Sequence, residues 1–161
     1  MSSSLSICLI RARWWRTVER VVAPLVYFAR AVDGLDRRAV LGAAKVVAAE
    51  LEKSGLRMTD PVDAWMRSDR LRSPDDHVLL VQSDLGLLRR CDGVLMDMSI
   101  PDRNYLGCTC ELTYAYLWRI PSVVWVGDTG LERRPWLRYH ATTVVRTRPE
   151  AVAALTGLLL A

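Results

Sequence analysis

No run of eighteen uninterrupted apolar residues occurs in the 161-residue chain, so no membrane span is expected and a membrane is not among its partners. Lysine is nearly missing. Lys45 and Lys53 are the only two, both in one expected helix, and the remaining basic residues are scattered arginines. A polynucleotide binder calls for a dense Lys/Arg stripe. The formal charge of +4 and pI near 9.1 therefore fit an anionic small molecule or plain solubility, and no nucleic acid polymer is expected. Cysteine is sparse: Cys8, Cys91, Cys108 and Cys110 give one C-x-C pair, and His77 and His140 stand isolated. A zinc site needs four ligands, usually as two spaced pairs, so no metal is expected. The thiols read as those of a reducing cytosol, which makes the expected location cytoplasmic. No glycine-rich phosphate loop of the usual kinds, no internal repeat and no low-complexity tract is present. No cofactor is implied.

The N-terminus lacks the order of a secretory signal. A short apolar patch comes first, and Arg11, Arg13, Arg16 and Arg20 follow it. Residues 1–23 are read as an N-terminal extension. It is either an amphipathic helix carrying Trp14, Trp15, Val18, Val21 and Val22, or a poorly ordered lead-in to a domain over 24–161.

That domain has the composition of a globular protein: 51% apolar and 25% charged, and long enough for one core. Short apolar runs at 25–29, 56–59, 93–98, 122–126 and 142–145 read as strands. Between them lie helical patterns. One runs over 37–53, capped by Asp36, with Ala39, Val40, Ala43, Val46, Val47 and Leu51 inward and Ser54-Gly55 as its stop. A second starts at Ser73-Pro74-Asp75-Asp76 and reaches about Arg90, with Val78, Leu79, Val81, Leu85 and Leu88 as its apolar set. The third spans 108–119. A short turn or helix over 136–139 and a closing helix over 150–160 follow. Residues 60–72 read as a loop. Alternating, nearly all-apolar strands predict a Rossmann-like α/β domain: a five-stranded parallel sheet with helices on both faces.

Such sheets bind ligands outside the carboxyl ends of their strands. Arg30, Asp97, Arg103, Asn104, Tyr105 and Gly107 fall at that edge and are the candidate substrate-binding residues. Asp97 lies on an otherwise apolar strand and needs a partner or a cleft. Gly107 leads into a helix whose first turn should hold Glu111. A carboxylate there is helped to ionise by the helix dipole, as a nucleophile requires. The alternative is an acid that merely favours a helix start.

The segment Gly107-Cys108-Thr109-Cys110-Glu111-Leu112-Thr113-Tyr114-Ala115, followed by Ile120-Pro121 and an apolar strand, resembles the active-site helix of the nucleoside 2-deoxyribosyltransferase family. That family includes nucleotide N-glycosidases. Tyr27-Phe28 in the first strand, and Asp84 in the helix before the third, resemble further pieces of its pattern. The likeness runs from Leu25 to about Val126. It implies an enzyme that cleaves an N-glycosidic bond of a nucleoside or nucleotide. Glu111 would attack the anomeric carbon, Tyr27 would orient Glu111, and Asp84 would contact sugar or base and assist proton transfer. The chemistry implied is that of a retaining glycosidase. A dimer or larger homo-oligomer, with a neighbour completing the site, is also implied. Tyr114, Tyr116 and Trp118 fit either such an interface or core packing.

Two departures stand out. Tyr105 occupies the place, six residues before the Glu, where the transferases carry Asp and the nucleotide hydrolases Ser. Arg30 replaces a small residue after the Tyr-Phe pair. Arg30 and Arg103 either grip a phosphate together or pair with Asp33 and Asp102. These departures keep open a degenerate domain that senses a nucleotide without turning it over.

Overall fold

The computed structural model describes residues 22–32, 34–67 and 76–161. The apolar runs form β1 (Leu25–Arg30), β2 (Arg57–Thr59), β3 (Gly93–Asp97), β4 (Ser122–Trp125) and β5 (Thr143–Val145). They make one five-stranded sheet in the order β2-β1-β3-β4-β5. Every pairing is parallel, as the alternating pattern predicts. The chain runs outward from β1 to β2, then crosses back to β3. A crevice therefore opens between the carboxyl ends of β1 and β3, where a ligand is expected. Arg30 and Asp97 are register partners at that point.

The helices are α1 (Arg37–Lys53), α2 (Pro61–Arg67), α3 (His77–Leu88), α4 (Leu106–Leu117), α5 (Pro135–His140) and α6 (Arg148–Leu160), with a 3-10 turn at Leu131–Arg133. Successive strand residues point to opposite faces. Val26, Phe28, Leu95, Val123 and Trp125 pack against Val47 and Leu51 of α1 and Ala151 and Leu155 of α6. Tyr27, Ala29, Val94, Met96 and Val124 face Leu88 of α3, Cys108, Leu112 and Ala115 of α4, and Leu137 of α5. Among the described residues no helix is long and apolar enough to cross a membrane.

Several expected boundaries move. The loop expected over 60–72 contains α2, whose start was written in Asp60-Pro61. The Asp60 side chain accepts from the Val62 N–H, and proline fits a first helical turn. The start expected at Ser73-Pro74-Asp75 lies outside the described residues, as does residues 1–21 of the expected extension. On α3, Val78, Leu79 and Val81 are exposed, and only Leu88 is fully buried. On α1, Val46 is likewise exposed, and the inward stripe is Val40, Ala44, Val47 and Leu51. The last helix begins earlier than expected, at a capping box in which Thr147 and Glu150 satisfy each other's backbone N–H groups.

The start of α4 also moves, and this alters the electrostatics of its glutamate. The helix begins at Leu106, so Gly107 is an exposed residue of its first turn and does not lead into it. Glu111 lies in the second turn, beyond the reach of most of the dipole.

Candidate active site

Tyr27 stands in the middle of β1, fully buried, on the face covered by α3 and α4. Its hydroxyl donates to Oε1 of Glu111 at 2.6 Å. Asp84 of α3 closes the group. Its Oδ1 accepts from the indole N–H of Trp65, on α2, at 2.6 Å. Each carboxyl thus has one oxygen held by an aromatic donor. Among the described residues none donates to the other oxygen of either.

Burial governs the charge of these groups. Loss of water pushes Glu111 up to about 7 against the stabilising Tyr27 hydroxyl, and the nearby Asp84 charge adds to the rise. Burial likewise lifts Asp84 to about 6, opposed by the Trp65 hydrogen bond. Tyr27 is held protonated far above its ordinary range, by burial first and then by Glu111, so it is a permanent donor here. The dipole-assisted ionisation expected for Glu111 is therefore corrected: desolvation outweighs it. Cys108 is buried one turn away on the same helix, and burial, then Glu111, pushes its thiol upward. It is a packing thiol.

The remaining candidates are engaged locally. Arg30 reaches Asp60 with both terminal nitrogens, at 2.9 and 2.8 Å, and the pair is almost wholly buried. Its guanidinium also lies over Phe28, 4.7 Å from the ring centre, on the opposite side of β1 from Tyr27. The phosphate fork expected of Arg30 is corrected accordingly, and its partner is Asp60. The alternative partner, Asp33, lies outside the described residues. Asp97 accepts from the backbone N–H and the hydroxyl of Ser99, tightening the turn after β3. Asn104 accepts from the Leu106 N–H and so caps α4. The Tyr105 hydroxyl both donates to the Ile100 carbonyl and accepts from the Ile100 N–H, which leaves it no proton to donate to a ligand. Arg103 lies against Gly34 at the same edge.

Trp65 and Asp60 were not anticipated. The Asp-Pro start of α2 was the available signal, because it places Trp65 one turn into a helix. An apolar pocket of about 120 Å³ also opens beside α4, lined by Met98, Tyr105, Leu112, Leu131, Trp136 and His140. None of Tyr27, Asp84 or Glu111 lines it. Among the described residues no cluster of His, Cys, Asp and Glu is arranged to hold a metal ion.

Neither a family model nor a curated protein matches the chain. Solved structures do. A 2-desoxiribosyltransferase from Leishmania mexicana superposes with a TM-score of 0.62 at 17% identity, over 83% of this chain and 97% of that one. The 2-deoxyribosyltransferase of Bacillus psychrosaccharolyticus gives 0.60 at 16% identity, over 78% and 88%. The CMP N-glycosidase BcmB of Clostridium botulinum gives 0.50 at 13% identity, over 84% and 99%. The protein has the fold of the 2-deoxyribosyltransferases, shared with that nucleotide N-glycosidase.

Two outcomes follow for stability. Arg30→Ala strands Asp60 as a buried, unpaired charge and should cost about 3–5 kcal/mol in guanidinium unfolding. A loss below about 1 kcal/mol would class the pair with exposed bridges. The second outcome concerns pH. The folded state holds protons on Glu111 and Asp84 up to about 7 and 6. The unfolded chain releases them near about 4. Their contribution is thus full below about pH 4 and lost as pH rises through the folded values. Glu111→Gln, always neutral, should unfold at higher denaturant than the parent at about pH 8, with the gap closing toward about pH 5. A gap that widens on acidification would contradict the assigned burial.

Proposed function

We propose that this chain cleaves the N-glycosidic bond of a nucleoside or nucleoside 5′-monophosphate through a covalent glycosyl–Glu111 intermediate. The sugar then passes to another base or to water. The observation that carries this reading is the pair of half-buried carboxyls, each with one oxygen fixed by an aromatic donor and the other with no donor among the described residues. It is supported by the shared fold, whose solved members include enzymes named for this chemistry.

In the first step the open oxygen of ionised Glu111 bonds to the anomeric carbon. The carbon–nitrogen bond breaks, its electron pair goes to the base nitrogen, and Asp84 supplies the proton. In the second step water or an incoming base attacks that carbon. Asp84 takes the proton of the attacker, and Glu111 leaves as a carboxylate. Tyr27 donates to Oε1 of Glu111 throughout, leaving Oε2 as the attacking oxygen. Two displacements retain the anomeric configuration.

Residues 24–161 form the deoxyribosyltransferase-like domain in this reading, and 1–23 its extension. The working assembly is a homodimer or larger, in the cytoplasm. Leu106, Tyr114 and Leu117 on the outer side of α4, with Val78, Leu79 and Val81 on α3, leave an exposed apolar area that a second copy would cover. The other reading is a nucleotide sensor without turnover. It is favoured by the Tyr105 hydroxyl, closed on Ile100 where the transferases present a carboxylate.

The deciding experiment is release of free base from a panel of nucleosides and their monophosphates. Turnover is expected, and Glu111→Ala should lower it by several powers of ten in a folded protein. Binding without release would favour the sensor, and near-normal rates in the variant would remove Glu111 as nucleophile. Light scattering should find an oligomer at assay concentration, with activity per chain falling on dilution. A fully active monomer would exclude a shared site.

A further inference from the structure

Trp65 belongs to a segment whose sequence reads as a loop, and the steps proposed above leave open what its hold on Asp84 does to the proton. Its environment is specific. Asp60 accepts from the Val62 N–H at the start of α2 and is gripped by Arg30 at the end of β1. The first turn of α2 is therefore anchored to the sheet by a buried ion pair. One turn on, the half-buried Trp65 extends its N–H to Oδ1 of Asp84 on α3. Indole is only a donor, and of the two oxygens of a neutral carboxyl the carbonyl oxygen is the better acceptor. The hydrogen bond therefore favours the proton of a neutral Asp84 on Oδ2, the oxygen to which no described residue donates.

We propose that Trp65 is a positioning residue: by donating to Oδ1 it fixes the Asp84 carboxyl and places its transferable proton on Oδ2, toward the departing base. The inference rests on the glycosidase reading for the identity of the proton acceptor. The hydrogen bond also opposes the effect of burial on Asp84, keeping its titration close to neutrality, where one group can both give and recover a proton. Without it, Asp84 would hold its proton more tightly and turn between two equivalent orientations.

The test uses the full chain and does not need turnover. In the unaltered protein the Trp65 indole proton resonance should move with pH at the Asp84 midpoint, and Asp84→Asn should abolish that movement. In Trp65→Phe the Asp84 carboxyl-carbon titration should shift upward by about one pH unit or more, the loss expected for a hydrogen bond to a charged group. Glu111 should shift the other way, because a neutral Asp84 no longer opposes its ionisation. With an active substrate in hand, Trp65→Phe should lower kcat more than it changes KM and move the alkaline limb of the profile upward. An indole resonance indifferent to pH, or an Asp84 titration unmoved in Trp65→Phe, would reduce Trp65 to packing and overturn the inference. The unaltered protein supplies the first readout even if the variant fails to fold. A pH-responsive indole in a protein that releases no base from the panel would overturn the glycosidase reading while leaving the hydrogen bond in place.

Discussion

The arrangement depends on a carboxyl group kept largely out of water. A buried carboxylate is costly, and its protein must replace the lost hydration or let the group take up a proton. Here replacement is partial. Tyr27 provides one hydrogen bond to Glu111, and the remainder of the cost appears as a pKa raised to about 7. That compromise demands a tyrosine in the middle of the sheet with its hydroxyl aimed across the core, and a helix close enough to meet it. β1 and α4 are placed to do so. The result is a carboxyl whose ionisation is brought near neutrality, not one that is permanently solvated.

Around this pair the polar side chains at the ligand edge are mostly occupied with their own backbone. Asp97 fastens Ser99, Asn104 caps α4, Tyr105 closes on Ile100, and Arg30 locks Asp60. These contacts tie the end of β1 to the residue after β2 and close the segment after β3 on itself. They also withdraw from recognition several groups that their positions alone would assign to it. Edge location identifies where a ligand can sit. It does not identify which side chains have valence left to meet it.

The same distinction explains what was legible in the sequence. Strand order in the chain and the parallel sheet were legible, because apolar runs separated by helical patterns specify them, whereas the Tyr27–Glu111 pairing came only as what the family resemblance implies. The Asp36 cap and the Ser54-Gly55 stop were legible for local reasons. Pairings distant in sequence were not. Arg30 meets Asp60 only because β2 returns beside β1, and nothing near Arg30 in the chain announces it. Helix starts slipped by a few residues at α4 and α6; the first slip moved Glu111 out of the first turn, and burial, which the sequence did not announce, raised its pKa. On α3 the apolar stripe was read as core, although much of it lies outward. Periodicity reports that a face is apolar, not what covers it.

β1 has a consequence for the mutations this protein can survive. Tyr27 serves the carboxyl pair on one side of the sheet, while Phe28 and Arg30 on the other stack on Trp125 and hold Asp60. Two unrelated tasks share one pleated ribbon with a repeat of two. Substitutions can tune either task independently. An insertion or deletion of a single residue within β1 cannot, for it would exchange the two sides at once, turning Phe28 toward Glu111 and the tyrosine hydroxyl into an apolar layer. Lineages descending from this sequence should therefore vary β1 by replacement and keep its length fixed, while the loops that follow it remain free to grow.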